Sequence, residues 1–194
     1  KQLQAKLAGK TVQEISIVSP YYDEDGLILG RYMEDFAPKR IHVVMDETGL
    51  IPVDFSPSKN YQFYDWKDVV KTDEDARRLH GKLHHFRCKD GSEYMFFGSA
   101  NATPEGLGIK GPYHEEAGLL LFSQKGGLLE KAGINLAGVN SYRLSDFEPI
   151  PYAPMNSAAA LTSFKYKITS AEREEGELSV YLLDECQDNI QLHV

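Results

Sequence analysis

Residues 77–101 read RRLHGKLHHFRCKDGSEYMFFGSAN. The dipeptide Asp90-Gly91 stands between two β-compatible runs, and Asp-Gly in that position is among the strongest local hairpin signals. The spacing predicts paired strands over about 79 to 89 and 92 to 98. Outward from this hairpin, Val12 to Ser19 in TVQEISIVSPYYD is β-rich and stops at Pro20, as a strand does. Asp25 to Asp35 places Leu27, Ile28, Tyr32 and Met33 at helical spacing, and Arg40 to Met45 in KRIHVVMDETG is a second β-rich run. Strand, helix, strand predicts a βαβ unit. YQFYDW (61–66) is expected to add another strand, Ala117 to Phe122 in HEEAGLLLFS a buried strand, and GGLLEKAGINLAGV (126–139) a helix.

These elements predict an α/β fold: a mixed central sheet flanked by helices over residues 1–146. FEPIPYAPMNS (147–157) reads as a proline-spaced linker. Residues 158–194 read as a short β-rich C-terminal appendage, with LTSFKYKIT, ELSVYLL and NIQLHV as strands separated by the charged AEREEGE. Three strands without a partner sheet make a marginal domain, so a truncated domain is expected there.

The 194 residues, 42% hydrophobic, 11% aromatic and 26% charged, are ordinary for a globular domain and exclude disorder, collagen-like repeats and coiled coil. The longest apolar run, around Leu119 to Phe122, is far below the roughly 20 residues that span a bilayer. No signal sequence is legible, and the first residue is Lys rather than Met, so the chain is expected to be a piece of something longer. Acidic residues exceed basic ones by 29 to 21, and the net charge of -8 disfavours indiscriminate binding to nucleic acid or anionic membranes. Two distant cysteines, Cys88 and Cys186, form no disulfide framework, which points to a reducing cytoplasm.

The chemistry concentrates in four fragments: His80-Gly81-Lys82, Gly98-Ser99-Ala100-Asn101, Glu116-Ala117, and the strand end Ser19-Pro20-Tyr21. In an extended strand His80 and Lys82 would share a face about 7 Å apart and address one substrate group. That pairing suits a phosphate. Histidine can act as nucleophile or proton donor towards phosphorus, and an ammonium neutralises the non-bridging oxygens. Ser99 and Asn101 would add donors, and Glu116 could orient and charge the His80 ring.

HGKL at 80–83 and GSAN at 98–101 resemble the HxK and GSxN signature of the phospholipase D superfamily, and HEEAG at 114–118 resembles its acidic segment. The resemblance implies a mixed α/β sheet and a covalent phosphohistidine. His80 would be nucleophile or acid, Lys82, Ser99 and Asn101 would hold the phosphate, and Glu116 rather than Glu115 would support a histidine. Two departures stand out. An aspartate often follows the lysine by five residues, where this chain has Arg87. The superfamily site also uses two HxK motifs, and this chain has one, since His42, His85 and His114 all lack the lysine. A homodimer mate or a preceding half of the chain would supply the second.

The resemblance implies a phosphodiesterase without metal or other cofactor. A nuclease is favoured by the basic residues Lys71, Arg77, Arg78, Lys82, Arg87 and Lys89 around the motif, of which Arg77, Arg78 and Arg87 are candidate substrate contacts. No interfacial helix for membrane insertion is legible. A lipid or headgroup phosphodiesterase or transferase, and a noncatalytic binding or dimerisation module, are the alternatives. His80, His84 and Cys88 would form a metal face only on a helix. On a strand positions 80 and 88 lie about 27 Å apart, so His84 and His85 read as packing or supporting residues and Cys88 as an ordinary buried thiol. Asp73-Glu74-Asp75 reads as a solvated loop.

Overall fold

The structure, a computed structural model, describes residues 2–46, 49–70, 78–109, 116–148, 168–174 and 177–182. The chain divides into two compact units, Lys1–Pro151 and Tyr152–Val194. In the first, a short helix α1 (Gln2–Leu7) precedes β1 (Val12–Val18), α2 (Leu27–Phe36) and β2 (Arg40–Met45). β3 (Tyr61–Asp65), α3 (Trp66–Val70), β4 (Leu83–Cys88), β5 (Glu93–Gly98), β6 (Gly118–Ser123) and α4 (Leu128–Lys131) follow.

The sheet order is β3-β2-β1-β4-β5-β6. β1 and β2 run parallel around α2, which is the expected βαβ unit, and β3 joins β2 in parallel. β1/β4, β4/β5 and β5/β6 are antiparallel, so the sheet is mixed, as expected. Local chemistry sets the ends of α2. The Asp23 carboxylate accepts the Leu27 N–H at 2.6 Å. At the other end Ala37 adopts φ 43 and returns its N–H to Met33 O, and Pro38 then prevents continuation.

Alternation along the central strands loads both faces of the sheet. Ile15, Ile17, Ile41, Val43 and Phe86 pack with Ile28, Leu29 and Tyr32 of α2. Val18, Val44, Leu83 and Met95 point the other way, towards Leu128, Leu129 and Ile134. Central strands buried on both faces explain the near-continuous apolar run of IHVVM.

Several expectations need correction. The strand containing the hairpin's first arm begins at Leu83, not at 79, so His80-Gly81-Lys82 is a loop leading into β4. YQFYDW ends its strand at Asp65, and Trp66 opens α3. The expected helix over 126–139 shrinks to the four residues of α4, because Gly126 and Gly127 before it and Gly133 after it take positive φ (75, 81 and 79). β6 is exposed rather than buried: Leu119 is 62% and Phe122 53% accessible, as the strand sits at the sheet edge. Its apolar run resembles a two-faced buried strand, which is why sequence alone misplaces it.

The second unit contains an antiparallel hairpin of β7 (Ile168–Glu174) and β8 (Glu177–Leu182). The charged AERE stretch, expected as a separator, is part of β7. Most of LTSFKYKIT, all of NIQLHV and most of the proline-spaced linker lie outside the described residues.

Candidate active site

Strand register assembles the site at one end of the sheet. In β4/β5 the pairs run outward from Arg87 opposite Glu93 to Leu83 opposite Phe97, and the Gly98 N–H donates to Lys82 O at 3.2 Å. The loop His80-Gly81-Lys82 enters β4 at this end, and Ser99-Ala100-Asn101 leaves β5 at the same end. In β5/β6, Gly98 faces Gly118, and the Ser99 N–H donates to Ala117 O at 2.9 Å. In β1/β4, Val18 faces Leu83, so Ser19 and Pro20 emerge beside Lys82. HxK, GSxN, the Glu116-Ala117 segment and the SPY strand end thus share one sheet end.

His80 is exposed, and Lys82 folds back over it: Nζ lies 3.3 Å from Nε2 and 3.4 Å from Nδ1 of the ring, and donates to His80 O at 2.9 Å. Lys82 is only 9% accessible. Burial pulls its ammonium below the ordinary lysine range, and the Glu116 carboxylate acts in the opposite sense. Ser99 Oγ donates to the Glu116 carboxylate and accepts the Ala117 N–H at 2.9 Å. Asn101 is half-buried, with Oδ1 shielded and without a hydrogen-bond partner among the described residues. A group that brings a donor to this oxygen would satisfy it.

The approach of β5 to β6 here depends on absent side chains. A Cβ on Gly98 would lie 2.1 Å from Ala117 O and 2.6 Å from Gly118 Cα.

Sequence reading missed Asp46, which follows β2. Its buried carboxylate accepts the Leu79 N–H at 2.6 Å and so fixes the residue preceding His80. An acid closing an apolar β-run, as in VVMD, is the only trace that the sequence offers.

Of the candidate substrate contacts, Arg78 is exposed two residues before His80, and Arg77 lies outside the described residues, as do Lys71, Asp73-Glu74-Asp75 and Glu115. Arg87 is drawn elsewhere. It sits at the far end of β4, about 17 Å along the strand from Lys82, and its guanidinium meets Glu93 at 3.0 Å, Glu14 at 3.2 Å and Glu130 at 3.6 Å. Glu93 is 2% accessible. Burial pushes its carboxyl up, but the Leu128 N–H at 2.8 Å, His85 and Arg87 together hold it below the usual carboxylate range. Arg87 therefore compensates a buried charge that anchors the start of α4.

His84 and His85 are buried in β4. His84 Nδ1 lies 3.1 Å from the Tyr32 hydroxyl, and burial lowers the ring's pKa to about 4. Cys88 is a buried free thiol, pushed up by burial. Among the described residues no three His, Cys, Asp or Glu side chains are grouped to hold a metal ion, and no helix is long and apolar enough to cross a membrane.

No family model matches the chain, and no curated protein matches it. Among solved structures it is similar to yeast tyrosyl-DNA phosphodiesterase, at 15% identity over 62% of this chain and 28% of that one, with a TM-score of 0.40. A point mutant of that yeast enzyme gives 17% identity over 62% and 27%, with a TM-score of 0.42. The chain thus spans little more than a quarter of these structures' length.

Proposed function

We propose that the chain is a phosphodiesterase of the phospholipase D type, most naturally a nuclease, which acts through a phosphohistidine without a metal ion. The observation that carries this reading is the convergence of His80, Lys82, Ser99 and Glu116 at one sheet end, with the Lys82 ammonium 3.3 Å from the His80 ring. A ring nitrogen of His80 attacks phosphorus and forms a P–N bond, while the leaving oxygen takes a proton from a second histidine. Water, deprotonated by that second histidine, then cleaves the P–N bond and restores His80. Lys82 neutralises the non-bridging oxygens as charge builds there, and the Ser99 hydroxyl and the Asn101 amide hold the same group. Glu116 supports the cationic partners.

The second histidine comes from a second HxK, supplied by another copy of the chain or by a preceding half. A panel of DNA, RNA and phospholipid substrates tests the reading. Turnover of a nucleic acid in EDTA is expected, with His80→Ala removing nearly all of it while circular dichroism stays unchanged. Lys82→Ala should lower turnover about 100- to 1,000-fold, the usual effect of losing one charge-stabilising donor. His80→Ala within a few-fold of wild type would overturn the mechanism, and loss in EDTA reversed by a divalent ion would overturn its metal independence.

A further inference from the structure

The strand end Ser19-Pro20-Tyr21-Tyr22 carries two adjacent tyrosines with opposite environments. Tyr22 is 2% accessible, packs in the core under α2 and donates its hydroxyl to Val44 O at 3.0 Å. Tyr21 is 42% accessible, and its hydrogen bonds among the described residues are made by its backbone.

That backbone is held from both sides. Pro20 O accepts the Leu50 N–H and Leu50 O accepts the Tyr22 N–H, each at 3.0 Å, which forms the parallel bridge between Tyr21 and Leu50. On the other side Ser19 Oγ donates to Tyr21 O at 2.9 Å and accepts the Ala102 N–H at 3.1 Å. Tyr22 and Ala102 form a second parallel bridge, and both are buried in the same core. Side chains alternate across a strand, so their predecessors Tyr21 and Asn101 share the opposite side. Tyr21 therefore presents an exposed ring on a hydrogen-bonded backbone, and it precedes the same bridge that Asn101, one of the proposed phosphate-holding residues, precedes on the other chain segment.

We propose that Tyr21 is a stacking platform for the nucleobase flanking the scissile phosphate of a single-stranded nucleic acid. The inference rests on the nuclease reading and adds to it a substrate contact that HxK and GSxN do not include. An exposed aromatic face near a phosphate site is an arrangement by which proteins grip single strands without reading their sequence, since every base offers a π-face.

Binding of fluorescent single-stranded oligonucleotides to the full chain tests it, in a His80→Asn background so that nothing is cleaved. A matched abasic oligomer, with the same sugar-phosphate backbone and no bases, is the control. Tyr21→Ala should weaken binding of the base-bearing strand about 10-fold or more and leave the abasic oligomer unchanged, whereas Tyr21→Phe should match the parent on both. Equal losses on both strands, or none on either, would overturn the platform while cleavage by the wild type left the nuclease reading standing. A wild-type chain that neither binds nor cleaves single strands, yet hydrolyses another phosphodiester, would remove the nuclease reading and the platform together.

Discussion

Lys82 and Glu116 are joined through charge rather than sequence. Burial disfavours the Lys82 ammonium and the Glu116 carboxylate favours it, so removing that carboxylate lets burial act with less opposition. Glu116→Gln should therefore lower the Lys82 pKa further and move the alkaline limb of the kcat/KM profile to lower pH, a shift that a pH titration of the variant measures directly. An unmoved alkaline limb would dissociate the two groups. Arg87 illustrates the opposite case, a basic residue near the motif in sequence that serves the fold. Arg87→Ala leaves the buried Glu93 with the Leu128 N–H and His85 but without its guanidinium. It should cost about 2 kcal/mol of stability, the usual worth of a hydrogen bond to a charged group, seen as a lower urea midpoint, while kcat/KM at 25 °C stays within two-fold of wild type.

At the scale of elements, the β5/β6 junction is an exacting contact. Gly98→Ala sets a methyl group against the backbone of Ala117 and Gly118, neither of which can rotate away. The strand end must open, carrying Ser99 from Glu116. Activity should fall at least ten-fold, and hydrogen exchange should show faster exchange of the Ser99 and Ala117 amides than in wild type, while Phe86 and its neighbours stay protected. The hairpin that sets this register was legible because Asp90-Gly91 is a local signal that needs no tertiary context, and so were the β-branched runs of β1 and β2. The exposure of β6 was not legible, since GLLLF has the same apolar run whether a strand is central or at an edge; only the strand order decides. The loop state of His80-Gly81-Lys82 was hidden for a related reason. Val18 is the last β1 residue to face β4, at Leu83, and Pro20 follows two residues later, so on that side the chain before Leu83 has no β1 ladder to hold it extended. Asp46 went unnoticed because its role depends on Leu79, 33 residues away.

For the whole molecule, the division into Lys1–Pro151 and Tyr152–Val194 carries its own test. The first unit holds both core clusters and all of the six-stranded sheet. Deleting residues 155–194 should leave its circular dichroism and its cooperative unfolding in place; global loss of structure on that deletion would show that the units depend on one another. The antiparallel ladder through β4 and β5 has a different kind of consequence. It works as a ruler folded at its midpoint, with Asp90-Gly91 at the crease and the HxK and GSxN graduations at the free ends. Adding one residue to either arm displaces one graduation against the other and turns alternate side chains to the wrong face, whereas a group attached to the exposed Lys89 side chain at the crease adds no residue and changes neither reading. The crease lies about 33 Å of extended chain from His80. It is the place where a dye or a tether can be hung from a side chain of this molecule while the alignment of His80 with Ser99 and Asn101 keeps its calibration.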